Sequence, residues 1–245
     1  MPAKPASIPA LMAEMAGHFA ATLANVAGAT RQAPPALPAV RPGLEHSLLW
    51  ENIIFTAPSF RRAHLEMFSA PGQFTVLHLC ILPHLYDPAP IFGFDMLGGR
   101  DQVSGLFLDF SPVVSESQPS LGEAIDGETR AACGTARPVP AWGTIFSPAF
   151  LAVRPRGLQD VETGLAAALG GLRFYLTRLA QMPAAPRLDA ILAGQTAYAL
   201  AQRANPHTAR MLARFVGAAG ARTVIETLLF PITTPEAAKR LDRAA

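Results

Sequence analysis

Between residues 47 and 112 the chain repeats one pattern five times: a short stretch rich in Phe, Ile, Leu and Val, then a break at Gly, Pro or Asp. The stretches are SLLWENIIFTA, RRAHLEMFSA, QFTVLHLCILP, PIFGFDMLGG and VSGLFLDFSP. Their length, their β-branched and aromatic content and the turn residues between them predict consecutive strands of an antiparallel meander. The N-terminal segment follows a different period. Ile8, Leu11, Met12, Met15, Phe19, Leu23 and Val26 recur at spacings of three and four, the stripe of an amphipathic helix. Residues 158–182, LQDVETGLAAALGGLRFYLTRLAQM, begin acidic and end near arginine, as the helix dipole prefers. Two or three shorter helices are expected within 185–232.

Strands in the middle and helices at both ends predict an α+β fold, a three-layer α/β/α sandwich whose central antiparallel sheet is covered by helices on both faces. A chain of 245 residues that is 50% hydrophobic can bury one core, so a single domain over 1–245 is expected. Within it, 1–45 hold the N-terminal helix and a proline-rich strap, ATRQAPPALPAVRPG, whose prolines are expected to exclude regular structure. Residues 46–156 are mainly sheet, with a helix and loop over 119–136 and a further strand in FSPAFLAVRP; 157–245 are helical.

Net charge is +2 and the Lys and Arg residues are scattered, so the basic stripe of a nucleic-acid binder is missing. Cys80 and Cys133 share no CxxC spacing, which argues against a disulfide framework or zinc ribbon and for a reducing cytoplasm. Glu14 and His18 interrupt the N-terminal apolar stripe, which argues against a signal peptide, and no run is long and uncharged enough to span a bilayer. The expectation is a cytoplasmic monomer with neither nucleic acid nor membrane as partner.

Ionisable residues inside the apolar strands carry the candidate chemistry. Alternation puts His64 and Glu66 on one face of the second stretch, His78 with Val76 and Cys80 on one face of the third, and Asp95 with Ile91 and Gly93 on one face of the fourth. A turn at Ala70-Pro71-Gly72 sets Glu66 opposite His78, and a loop centred between Leu85 and Pro88 sets His78 opposite Asp95. The three then form a row, provided that no strand slips by one residue. A histidine between two carboxylates in an apolar shell couples their titrations and can hold and pass on protons near neutral pH. No GxGxxG, Walker A or GxSxG motif is present. His64-Leu65-Glu66 matches half of a zinc-deaminase motif, without its P-C-x-x-C partner. The alternative from another class is a metal-dependent hydrolase using His64, Glu66 and His78, with His84 and Asp87 as further ligands.

The segments PSFRRAHLE, VLHLCILP, PIFGFDMLGG, LDFSPV and PAWGTIFSP, in this order, resemble the ferredoxin-dependent bilin reductases. The likeness runs over about 46–232 and is strongest through 59–112. It implies the same sandwich fold, with biliverdin IXα held between the sheet and the C-terminal helices. No flavin, nicotinamide or metal cofactor is implied; reduced ferredoxin is the external donor of single electrons. On this resemblance Asp95 is the catalytic aspartate, His78 the central histidine and Glu66 the glutamate associated with reducing the D-ring vinyl group. The pair His78 and Glu66 resembles the phycocyanobilin-forming branch; phycoerythrobilin or a partly reduced bilin is the alternative product, and a non-catalytic bilin-binding protein the alternative role. Substrate contacts are implied at His64, Arg137, Asn205 and His207, the guanidinium of Arg137, five residues before Trp142, being suited to a propionate. Pro206 stands where the family commonly has aspartate, and His207 where it commonly has lysine. Ferredoxin docks transiently, and Arg61, Arg62, Arg154 and Arg156 are candidate contacts for an acidic donor.

Overall fold

The computed structural model describes residues 7–44, 48–140, 143–180 and 188–234. The five apolar stretches form β2 (Leu49–Ala57), β3 (Phe60–Ala70), β4 (Phe74–Leu82), β5 (Ile91–Gly98) and β6 (Val103–Ser111), each antiparallel to the next. The expected strand in FSPAFLAVRP is β8 (Leu151–Arg154), paired with β6. With two short edge strands, β1 (Thr30–Gln32) and β7 (Thr135–Ala136), the described residues form an eight-stranded sheet in the order β1-β2-β3-β4-β5-β6-β8-β7. The two edge strands correct the expectation of an irregular strap and of helix and loop alone over 119–136. Thr30, Arg31 and Gln32 precede the first proline of the strap, so their backbone N–H groups are available to pair with Thr56, Phe55 and Ile54. Between β6 and β7 lie the expected helical turns, α2 (Leu121–Ala124) and α3 (Gly127–Ala132).

β4 is buried along almost its whole length because it is covered on both sides. Leu77, Leu79 and Ile81 join the core under α1 (Ile8–Ala24) and α4 (Leu158–Leu179). Val76, Cys80 and Leu82 join a second core under α5 (Leu188–Arg203), α6 (Pro206–Thr223) and a π-helical segment, Val224–Leu229. α1 buries Ile8, Met12, Phe19 and Leu23, the heart of the predicted stripe, and starts at Ser7, whose side chain accepts from Ala10 N. On the same side, α4 buries Tyr175 completely, and its hydroxyl donates to Pro90 O at 2.6 Å. The three-layer expectation therefore holds, with helices on both faces. No helix among the described residues is long and apolar enough to cross a membrane.

α5 reaches the sheet through a glycine. A Cβ at Gly194 would stand 1.9 Å from Val113 O, and the next residue, Gln195, donates to Pro83 O at 3.1 Å. Gly194→Ala should therefore push α5 away from the strand ends and lower the unfolding free energy by about 1–3 kcal/mol. Denaturant unfolding checks this, and wild-type stability in that variant would refute the close approach.

Candidate active site

Cross-strand register builds the site. Asn52, Glu66, His78, Asp95 and Phe107 are successive partners across β2 to β6, so their side chains leave the sheet on one face. This is the face covered by α5 and α6. The register places Glu66 opposite His78 and His78 opposite Asp95, as the turn positions predict. His64 belongs to the adjacent row, between Ile54 and Cys80.

Hydrogen bonds fix the members. His78 Nδ1 and Asp95 Oδ1 are 2.9 Å apart, and Trp50 Nε1 donates to Glu66 Oε1 at 2.7 Å. His64 Nε2 lies 2.9 Å from Asn52 Oδ1, and the His64 and His78 rings are 5.8 Å apart. The remaining ring nitrogens, His64 Nδ1 and His78 Nε2, are buried and have no hydrogen-bond partner among the described residues. The row is also graded in exposure. Glu66, His64 and His78 are buried, whereas the Asp95 side chain keeps 46% of its surface. Phe230 stands over His78 with ring centroids 5.9 Å apart and continues to Tyr198.

Burial and charge separate the protonation of these groups. Burial alone lowers the His78 pKa, but the charge and hydrogen bond of Asp95, helped by the charge of Glu66, outweigh it and raise it above 6.5. His64 goes the other way: burial, then the charges of His78 and Arg62, hold it well below 6.5 and neutral. Burial raises Glu66 above the ordinary carboxylic-acid value, against opposition from His78 and the Trp50 hydrogen bond. The site thus sets an imidazole and a carboxyl group side by side, each holding its proton more firmly than it would in water.

Gly93 leaves the floor next to Asp95 without a side chain, and the Tyr198 hydroxyl takes the room: a Cβ at Gly93 would lie 3.1 Å from it. On the other side Phe107 stacks on Phe150, and Phe150 on Phe146. Asp109 fastens that wall by accepting from Ser111 Oγ, Ser147 N and Ser147 Oγ.

The expected substrate contacts are distributed unevenly. Arg137 lies with its guanidinium 5.5 Å from the ring of Phe107, the cross-strand neighbour of Asp95, so it reaches the exposed end of the row. Trp142 lies outside the described residues. Asn205 caps α6 by accepting from His207 N at 3.0 Å, and His207 Nδ1 is 3.4 Å from Arg210 Nη2. Among the described residues, no hydrogen bond joins Asn205 or His207 to the row. Pro206 occupies the first turn of α6, where its missing N–H costs nothing.

The metal alternative is not assembled. His84 Nε2 lies 3.1 Å from Ala57 O, Asp87 accepts from Ala89 N, and no three His, Cys, Asp or Glu side chains among the described residues are placed to hold a metal ion. Nor do the four arginines share one surface. Arg61 and Arg62 are inward-bonded on β3, whereas exposed Arg154 ends β8, four places along the sheet, and Arg156 pairs with Asp160. Trp50, Asn52, Tyr198, Phe230 and Asp109 were not singled out in the sequence; a bulge between Phe55 and Ala57 is what brings Asn52 opposite Glu66.

Residues 18–231 match the family model for ferredoxin-dependent bilin reductase. The phycocyanobilin:ferredoxin oxidoreductase of Trichodesmium erythraeum is 30% identical over 189 residues, 75% of this chain and 76% of that protein. The enzyme of the same name from Synechococcus sp. is 32% identical over 188 residues, 74% and 75% of the two chains. Among solved structures, tomato phytochromobilin synthase in complex with biliverdin aligns with a TM-score of 0.68 at 14% identity, over 90% of this chain and 81% of its own. PcyX aligns with a TM-score of 0.62 at 20% identity, over 91% and 99%. The chain belongs to the ferredoxin-dependent bilin reductase family and is a bilin oxidoreductase of that type.

Because Asp95 raises the His78 pKa, protonation of His78 stabilises the fold below its unfolded value of about 6.5, and that stabilisation is lost as pH rises through the higher folded value. NMR titration should find the His78 midpoint above 6.5 in the wild type and below it in Asp95→Asn, while His64 stays neutral in both. An unchanged midpoint in Asp95→Asn would remove the coupling.

Proposed function

We propose that this reductase converts biliverdin IXα to phycocyanobilin, taking electrons one at a time from reduced ferredoxin and protons from the row Asp95, His78 and Glu66. The observation that carries the reading is the His78–Asp95 hydrogen bond, continued in register to a buried Glu66. Each electron added to a tetrapyrrole in a low-dielectric site creates a charge that is costly until a proton follows, so donors must stand close and already carry protons. His78 and Glu66 are shifted in the required direction. Asp95, half-exposed at the mouth, relays protons from water by way of His78, whose proton it holds; Glu66, sealed behind Trp50, serves the vinyl group at the far end. His64, neutral and beside His78, is placed to accept or donate a hydrogen bond to the pigment. Arg137 at the rim binds a propionate, with Asn205 and His207 at the start of α6 as further contacts. The similarity to phycocyanobilin-forming relatives supports the choice of product.

Mixing the purified protein with biliverdin should give a long-wavelength absorbance, and adding reduced ferredoxin under low oxygen should give phycocyanobilin. Absorbance without product would leave a bilin-binding protein, and neither would overturn the reading. Asp95→Asn should bind biliverdin but turn over at least about 100-fold more slowly. Glu66→Gln should accumulate a partly reduced bilin, read by chromatography. Arg137→Gln should weaken biliverdin binding about tenfold through loss of charged hydrogen bonds, with little effect on turnover at saturation.

A further inference from the structure

The proton-donating row leaves one neighbouring feature unused. Arg61 and Arg62 stand side by side at the start of β3, both drawn out of water: burial lowers both pKa values, that of Arg61 to about 10, with the charge of Arg62 as its next cause. Among the described residues, neither lies within ion-pair distance of a carboxylate. Arg61 gives Nε and Nη2 to Gln195 Oε1 at 3.1 and 2.7 Å, and Arg62 gives Nη2 to Leu228 O at 2.7 Å. Withdrawing two adjacent guanidinium groups from water without a counter-charge is costly, and the cost falls when negative charge arrives nearby.

Arg62 is the one on the face of the site. It pairs in register with Leu82, two residues before His64, and so leaves the sheet on the face that carries the row. Its field already reaches that row, because its charge is among the causes that lower both His64 and His78. A positive potential that opposes a proton at a point favours an added electron there.

We propose that Arg62 is an electrostatic residue of the reductase, whose permanent charge makes the bound tetrapyrrole easier to reduce. The proposal rests on the bilin-reductase reading above. In the step concerned, reduced ferredoxin is oxidised by one electron and the pigment becomes a radical anion; a proton from the row then gives the neutral radical. Arg62 stabilises the anion in the interval between the two events. It does not touch the reacting atoms and cannot itself supply the proton, since guanidinium stays charged throughout the working range.

Arg62 also pins Leu228 O, so its charge must be separated from its hydrogen bond. Arg62→Gln keeps an amide donor and loses the charge, Arg62→Lys keeps the charge, and Arg62→Met keeps part of the packed stem alone. All are loaded with biliverdin, the midpoint potential of the bound pigment is measured by spectroelectrochemistry, and the first reduction by ferredoxin is timed under low oxygen. Arg62→Gln and Arg62→Met should shift the potential in the negative direction and slow the first reduction about tenfold, with Arg62→Lys close to wild type. A wild-type potential in Arg62→Gln or Arg62→Met would overturn the proposal. So would equal impairment of the Lys and Gln variants, which would assign Arg62 to holding Leu228. Should wild type bind no biliverdin, or bind it and never reduce it, the functional reading fails first, and that outcome is distinct from a charge-independent potential.

Discussion

The hydrogen bond between His78 Nδ1 and Asp95 Oδ1 decides which protons the site can hold. Removed from water and left alone, His78 would hold a proton more weakly than usual; paired with Asp95 it holds it more firmly. Burial first, then the charges of His78 and Arg62, move His64 the other way, so two histidines with rings 5.8 Å apart are shifted in opposite directions. Burial raises the pKa of Glu66 beyond them. A single contact thereby separates the proton affinities of two neighbouring imidazoles.

The fold maintains this contact by burying both faces of the sheet. Along β4 the apolar side chains alternate between two separate cores, so a one-residue slip would exchange His78 with Leu77 or Leu79 and place charge under α1 and α4. The cost of that exchange holds the register, and the register holds the row. On the same face Asp109, two residues from Phe107, anchors Ser147, which lies next to the stacked Phe146 and Phe150.

Most of the fold was legible because long strands and amphipathic helices impose periods of two and about 3.6 on the sequence. β1 and β7, with three and two residues, are too short to show a period at all. The row was legible because the two connections flanking β4 are symmetric about Gly72 and about Tyr86–Asp87. The first hairpin was not, and the reason is local. Ala57 pairs with Phe60 across a two-residue turn, which by simple counting would set Glu66 opposite Glu51. A bulge between Phe55 and Ala57 shifts the register by one and brings Asn52 there instead, with Trp50 in reach of the Glu66 carboxyl. Tyr198 comes from α5 and Phe230 from just beyond the π-helical segment, and no local pattern encodes how either approaches the sheet.

The gradient of exposure along the row gives its two carboxyl groups different access to solvent. The Asp95 side chain meets solvent directly. Glu66 is closed in by Trp50, and His78 stands next to it on the side towards Asp95, so its path to solvent along the row runs through the pair. On the function proposed above, repeated protonations draw on the open end and a single one on the closed end. That division requires the closed end to remain dry while the pigment is bound, which assigns a task to the segment carrying Phe230. Arg203 holds it by donating to Phe230 O and Glu226 O, and Arg62 by donating to Leu228 O, so both guanidinium groups keep the cover over His78 in place. On the role proposed for Arg62, the same side chain closes the site and supplies its positive potential, two effects that act together because water admitted beside His78 would screen the field as well as leak protons.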